Sequence, residues 1–274
     1  MESKTTKRVA VVIPLYKSEM TLHEKKSFLQ CCKILKNYPI ILVVPVSFKV
    51  DAYQKIAKEY DISLSEERFD DTCFLAISSY NRLLLSKEFY VRFSGYEYML
   101  IYQLDAYVFK DELEFWCNER YDYIGAPLIG KFEDLTFSQE MRVGNGGFSL
   151  RKINSFISFF ESKQNVFSAR QIITKISLWK KPYTRIFIWF LMLLGWRNKP
   201  YSVAKNWKYN EDDFWSGVLD KSRFNFSKPD PRKAMEFAFE RFPGNCFEIT
   251  GKLPFGCHAW EKYEYESFWK KYIE

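Results

Sequence analysis

Tyr98-Met-Leu-Ile-Tyr-Gln-Leu-Asp-Ala-Tyr-Val-Phe109 joins an apolar run of strand length to one carboxylate, Asp105. A short run of this kind, rich in aliphatic and aromatic residues, reads as a buried strand from Tyr98 to Gln103. Ligands of an open α/β sheet gather in the crevice outside the carboxyl ends of its strands, so an acid just past such an end faces a site. Read locally, Asp105 serves equally well as the start of a turn, or as a cap for a short helix at Asp111-Glu-Leu-Glu-Phe-Trp116.

The residues upstream set the fold class. Arg8-Val-Ala-Val-Val-Ile-Pro-Leu-Tyr16 is a β-branched apolar run stopped by Pro14, the pattern of a buried strand feeding a loop. Thr21 to Asn37 carries helical spacing at Leu22, Phe28, Leu29, Cys32 and Leu35, and Pro39 to Val46 returns to a strand. Strand, helix and strand in this order predict a parallel pair. A helix at Val50–Tyr60, an extended stretch at Ile62–Phe69 and a third helix from about Asp71 to Lys87, carrying Asn81 and Arg82, lead to the strand at Tyr98. The alternation predicts an α/β protein whose first ~110 residues form a Rossmann-like half, with a mostly parallel central sheet flanked by helices. No G-x-G-x-x-G and no Walker A sequence occurs, which argues against a dinucleotide cofactor and a P-loop kinase.

Downstream, Tyr121-Asp-Tyr-Ile-Gly-Ala-Pro127 reads as a short strand entering a turn. Val143-Gly-Asn-Gly-Gly-Phe-Ser-Leu-Arg151 packs three glycines and a hydroxyl into one loop ahead of a helix from about Lys152 to Glu161. Adjacent glycines permit close backbone approach to a ligand; Asn145-Gly146 as a hairpin turn is the equal local reading. Residues 175–209 differ from the rest, because Ile186-Phe-Ile-Trp-Phe-Leu-Met-Leu-Leu194 is apolar all round with basic residues on both sides. It falls short of the ~20 residues that span a bilayer. A buried helix is the plain reading; a monotopic contact of 183–197 with an anionic membrane is the sharper one, and a dimer contact the third. Tyr209-Asn-Glu-Asp-Asp-Phe-Trp215 then places three acids at a helix start, where one caps and another can act as a base. Leu253-Pro-Phe-Gly-Cys-His-Ala-Trp260 sets His258 in a loop shaped by proline and glycine.

Composition narrows the chemistry. A chain of 274 residues can bury a sizeable core. Its 18 Tyr and 8 Trp serve mostly as core and surface filler, and those in a cleft suit a surface that meets sugar rings, which present C–H faces beside hydroxyls. The net charge of +7 comes from 41 basic and 34 acidic residues, and with no zinc-finger spacing or RNA-binding signature it does not point to nucleic acid. Six cysteines without a C-x-x-C, and no apolar N-terminal segment of signal-peptide type, predict reduced thiols in a cytoplasmic protein. With only His23 and His258 present, a multi-histidine metal site is excluded, so any metal is held mainly by oxygen and is Mg²⁺ or Mn²⁺.

Taken in order, the Ile-Pro-Leu-Tyr end of the first strand, Gln-x-Asp-Ala, Gly-Asn-Gly-Gly-Phe-Ser-x-Arg, Glu-Asp-Asp and Gly-Cys-His-x-Trp resemble a GT-A-fold glycosyltransferase. The match is to a bacterial family of uncharacterised GT-A-like proteins and runs from about Val9 to Trp260. The resemblance implies a single GT-A nucleotide-sugar-binding domain over 1–274, with a nucleotide-binding half to about 110 and an acceptor-binding half from about 111. It implies an inverting, metal-assisted transfer from a nucleotide sugar, UDP-linked, to a glycan or lipid-linked glycan in bacterial surface polysaccharide synthesis. The place is the cytoplasm or the inner face of the plasma membrane.

In such enzymes a strand-end Asp-x-Asp binds a divalent cation that bridges the donor diphosphate. Here Gln103 stands for the first acid if Asp105 is the second, or Tyr107 for the second if Asp105 is the first. The resemblance assigns Asp105 and His258 to the metal, Mn²⁺ or Mg²⁺, and Asp212 to the general base, with Glu211 or Asp213 holding acceptor hydroxyls. It places Gly146, Gly147 and Ser149 along the sugar, Pro14, Leu15 and Tyr16 beside the base of the nucleotide, and Gln103, Asn81 and Arg82 near the donor. The alternatives are a nucleotidyltransferase, whose usual glycine-rich signature is missing at Ile13–Lys17, and a catalytically degenerate GT-A domain that binds or assembles glycans.

Overall fold

Lys7–Pro14 forms β1, the first strand of a computed structural model that describes residues 7–130, 142–176, 181–224 and 226–273. Helix α1 (Leu22–Ile34) starts at Thr21, whose hydroxyl accepts from the Glu24 amide while the Glu24 carboxylate accepts from the Thr21 amide. β2 (Ile40–Pro45), α2 (Asp51–Glu59) and β3 (Leu64–Phe69) follow. The helix expected over Asp71–Lys87 is broken into a 3₁₀ turn (Asp71–Phe74), α3 (Ile77–Leu84) and α4 (Lys87–Arg92). Ser86 decides the second break, since its backbone is extended and its hydroxyl caps the Phe89 amide.

The chain continues through β4 (Tyr96–Tyr102), β5 (Ala106–Val108), α5 (Leu113–Asn118), β6 (Tyr123–Gly125), β7 (Phe148–Lys152) and α6 (Ile153–Glu161). Then come α7 (Ala169–Lys175), α8 (Pro182–Leu193), α9 (Pro200–Lys205) and α10 (Glu211–Asp213), which runs into a π turn at Phe214–Val218. α11 (Pro231–Phe237), β8 (Ala238–Phe239), α12 (Pro243–Thr250) and β9 (Gly256–His258) complete the elements that bear on the site.

The main sheet has the order β3-β2-β1-β4-β7-β6, with β3, β2, β1 and β4 parallel and β7 antiparallel to both its neighbours. This is a mixed α/β fold with a mostly parallel centre, as the alternation of strands and helices predicts. Its inner strands are buried on both faces, so they read as continuous apolar runs rather than alternating ones. Val9, Val11 and Ile13 pack with Phe28, Cys32 and Tyr53 on one side. Ala10 and Val12 pack on the other side in a cluster that holds Tyr90, Phe156, Phe159 and Trp215. All six cysteines are unpaired.

A second sheet, β5-β9-β8, leaves the first at a corner. The chain exits β4 at Tyr102 and enters β5 at Ala106, so Gln103, Leu104 and Asp105 form that corner.

Helix α8 corrects one expectation. No residue of it is fully buried: Ile188, Trp189, Met192 and Leu193 pack against the core while the opposite side is exposed. A helix that is apolar all round carries no periodicity to say which side the protein covers, and here it covers only one. Residues 177–180 of the basic segment lie outside the described residues. Among the described residues no helix is long and apolar enough to cross a membrane.

Candidate active site

The corner after β4 places Asp105, and the pairing of β5 with β9 supplies its partner. Ala106 lies opposite His258 in that antiparallel register, which brings the imidazole beside the carboxylate. His258 Nε2 is 3.1 Å from Asp105 Oδ1 and 3.3 Å from Gln103 Oε1. On the other side of the ring, Nδ1 is 3.3 Å from Oε1 of Glu240, the residue just after β8, which pairs parallel with β9. Lys262 Nζ is 3.6 Å from Asp105 Oδ2.

Burial opposes charge on both members of the Asp105–His258 pair, and the partners outweigh it. His258 would lose its proton early on burial alone, but Asp105 and then Glu240 raise its pKa to about 10. Burial also raises the Asp105 pKa, yet His258 and Lys262 bring it down to about 2. At neutral pH the ring is therefore an imidazolium whose N–H groups point at two carboxylates.

The Asn145-Gly146-Gly147 segment packs against this pair. Asn145 Nδ2 donates to Glu240 Oε1 at 2.9 Å, and Asn145 Oδ1 accepts from the Gly147 amide at 2.9 Å. A Cβ on Gly147 would lie 1.9 Å from His258 Nε2, and one on Gly146 would lie 2.3 Å from Glu211 Oε1. The two glycines are required by this closeness. The two-residue hairpin reading of Asn145-Gly146 is set aside, because residues 126–147 separate β6 from β7.

Asp212 meets the same loop from α10. Its Oδ2 accepts from the Gly146 amide at 3.4 Å and its Oδ1 from the Asp213 amide at 2.8 Å. Burial, with added repulsion from Asp213 and Glu240, raises its pKa above the ordinary value against these two hydrogen bonds. A carboxylate lifted in this way is a better proton acceptor.

The remaining expected residues divide by burial. Glu211 is 4% exposed, and both its oxygens are taken by Arg151, Oε1 at 2.7 Å and Oε2 at 3.2 Å, so it does not reach an acceptor hydroxyl as expected. Ser149 is fully enclosed: its hydroxyl donates to the Gly146 carbonyl and accepts from Arg151 Nε, so it supports the loop from behind instead of lining a sugar pocket. Asp213 is held by Arg142 at 2.8 Å in a partly exposed pair. Asn81 Oδ1 accepts from the Glu211 amide at 3.2 Å, which makes Asn81 a brace for α10. Arg82 stays on its own helix, with Nε donating to the Ser78 carbonyl. Pro14 and Leu15 are buried at the end of β1, and Tyr16 beyond them is 65% exposed.

Among the described residues no group of three or more His, Cys, Asp or Glu is arranged to hold a metal ion. On losing its Nε2 proton, His258 would form with Asp105 and the Gln103 amide oxygen a mixed oxygen and nitrogen set of the kind that holds Mn²⁺ or Mg²⁺. Glu240 behind Nδ1 is the kind of carboxylate that orients a ligating imidazole.

Glu240, Asn145 and Arg151 are site residues that the sequence reading left out of its site. Glu240 had a signal: Phe237-Ala-Phe-Glu240 is a short apolar run ending on an acid, as at Asp105. Arg151 had none, because nothing local marks a strand arginine as fully buried.

A family model described as "Protein of unknown function (DUF5672)" matches residues 63–258. The chain belongs to that family. The match takes in the candidate site residues from Asp105 to His258. No curated protein matches the chain. Among solved structures, the bifunctional glycosyltransferase WbbM, in its apo form, aligns over 92% of this chain and 45% of its own, at 11% identity and a TM-score of 0.50. Core-mannan synthase A from Aspergillus fumigatus, in a Mn/GDP form, aligns over 77% of this chain and 69% of its own, at 11% identity and a TM-score of 0.46. The glycosyltransferase GlyE of Streptococcus pneumoniae TIGR4 covers 93% and 54%, at 12% identity and 0.47. At these identities the likeness concerns the fold, which is of the GT-A type found in glycosyltransferases.

Proposed function

We propose that this DUF5672 chain is an inverting glycosyltransferase that moves a sugar from a UDP-linked donor to a hydroxyl of a free or lipid-linked glycan in bacterial surface polysaccharide synthesis. One observation carries the reading. The Gly146-Gly147 backbone lies between a charged strand-end pair, Asp105 and His258, and a half-buried carboxylate, Asp212.

In this reading the residues to about 110 hold the donor and the later ones the acceptor. Tyr16, exposed past β1, stacks on the nucleotide base. Asp105, His258 and Gln103 would hold a divalent ion, which would supply positive charge to stabilise the leaving group. Lys262 brings positive charge of its own to the same corner. As the acceptor oxygen bonds to C1 from the far side, its proton passes to Asp212; the C1–oxygen bond to the diphosphate breaks, and UDP leaves with the electron pair. Gly146 and Gly147 let the loop backbone pack directly against Glu211 and His258, which keeps the two charged groups close to either side of the donor sugar.

The test is a thermal-shift series of UDP- and GDP-sugars with and without Mn²⁺, followed by assay of released nucleoside diphosphate. A donor at about a hundred times its Kd stabilises the native state by about 2.7 kcal/mol. If no nucleotide sugar raised the melting temperature and none released diphosphate, the proposal would fail. Gln103 in place of a first acid favours a second reading, a glycan-binding relative without turnover. Donor-independent binding of oligosaccharide, with no diphosphate released, would support it.

A further inference from the structure

The basic excess of this chain is concentrated in one place. Between Glu161 and Glu211 there is no acidic residue and there are ten Lys or Arg, more than the net +7 of the whole sequence. Helix α8 stands in the middle of that stretch. Its inner side packs against the core through Ile188, Trp189, Met192 and Leu193. Its outer side carries Tyr183, Ile186, Phe187, Phe190 and Leu194, at the three- and four-residue spacing of one helical face. Ile186 is 68% exposed, Phe187 61%, Phe190 53% and Leu194 68%. A contiguous apolar face of this kind marks a contact site.

The surroundings of that face identify the partner. Just past the helix Trp196 is half-exposed, with the Arg197 guanidinium 4.9 Å from its ring centre; on α9 the exposed Tyr201 has Lys205 at 5.7 Å. At the start of the helix Lys181 lies 6.0 Å from the ring of Tyr183. Aromatic rings with basic groups beside them are the residues that settle at the headgroup level of a bilayer. Beside α8 runs an apolar groove of about 330 Å³, lined by Ile173, Ile176, Pro182, Arg185, Ile186 and Trp189, which an acyl chain can enter. At twelve residues α8 is about 18 Å long, which suits a helix lying in the interface and not one crossing it. A second copy is a poor occupant, since two such faces would bring together two stretches that hold ten basic residues each and no acid between Glu161 and Glu211.

We propose that α8 is an in-plane anchor that seats this chain on an anionic bilayer, its outer apolar side at the acyl boundary and its basic flanks among the headgroups. The proposal does not depend on sugar transfer, so its test uses the full chain without donor. Flotation is measured with vesicles of phosphatidylcholine alone and of phosphatidylcholine mixed with phosphatidylglycerol. Binding is expected to favour the anionic vesicles and to weaken with salt. Replacing Phe187 and Phe190 together by Ser should weaken it about tenfold or more. Lys181→Gln and Arg197→Gln should each weaken it about fivefold on anionic vesicles only. These side chains are exposed, so circular dichroism and the melting temperature should stay at their wild-type values, which separates lost binding from lost folding. Failure of the wild-type chain to float with anionic vesicles overturns the proposal. So does unchanged flotation of the Phe187→Ser/Phe190→Ser variant, and so does a wild-type dimer that this variant dissociates.

Discussion

Replacing Arg151 by Met tests whether the Arg151–Glu211 pair is the strut that supports the glycine loop. Arg151 is fully buried and Glu211 nearly so; the guanidinium also donates to the Tyr90 hydroxyl at 3.1 Å, to Ser149 Oγ at 3.0 Å and to the Gly146 carbonyl at 3.3 Å. Burial opposes the Arg151 charge, but Glu211 and the tyrosines Tyr90 and Tyr123 raise its pKa well above the usual value. Arg151→Met leaves the Glu211 carboxylate buried without its counter-charge, and breaking one side of a buried pair costs about 3–5 kcal/mol. The chemical denaturation midpoint reads this loss, and the melting temperature should fall by roughly 10 °C. The double variant Arg151→Met/Glu211→Leu removes both charges and should recover much of the stability, because a buried pair exchanged for apolar side chains is often near neutral. Without Arg151, burial alone favours protonated Glu211, so the deficit against wild type should shrink as pH falls towards the ordinary 4.5 of a glutamate. A deficit below about 1 kcal/mol, or a double variant no more stable than the single one, would refute the reasoning.

Asp212→Asn should lower transfer by about 10²–10⁴-fold while donor-induced thermal stabilisation persists; equal loss of both would reassign Asp212 to donor binding. Asp105 has a depressed folded pKa, so its contribution to stability is present above 3.8 and lost as pH falls through about 2. His258 has a raised one, so its contribution is complete below 6.5 and lost as pH rises through about 10. The stability difference between wild type and Asp105→Asn should therefore level off between 3.8 and 6.5 and shrink on either side, and a difference that ignores pH in denaturation curves would contradict the ion pair. Gly147→Ala places a methyl 1.9 Å from His258 Nε2, forces the ring away from Asp105 and should bring the His258 pKa down in an NMR titration. Glu240→Gln removes one of the two charges that hold the imidazolium; the same titration should show a smaller fall than for Asp105→Asn.

Much of the scaffold was legible because its strands are buried on both faces. Runs such as Val9–Ile13 and Met99–Ile101 admit hardly any environment except the middle of a sheet, and the helices between them force parallel neighbours. The breaks around α3 and α4 were not foreseen, since local capping by Ser86 outweighs the helical spacing on either side. Helix α8 shows the limit in another form: composition marks a segment as apolar but not which of its sides the protein covers.

For the site, local signals marked Asp105, the Gly146-Gly147 pair, the Glu211–Asp213 run and His258, because an acid at a strand end, adjacent glycines, three consecutive acids and a histidine in a short loop each stand out, and the resemblance singled out Asp212 within the run. Pairing was decided elsewhere. The β5–β9 register sets His258 against Asp105 across 153 residues of sequence, and β8 adds Glu240 behind the ring. Among the three consecutive acids, Glu211 turns inward to Arg151 while Asp212 stays at the loop, because one turn of helix points neighbouring side chains in different directions. Sequence thus determined the sheet and the kinds of group at its edge. The tertiary structure decided which of those groups meet and which carry a free charge, because distance and burial between remote residues exist only once the strands are in register.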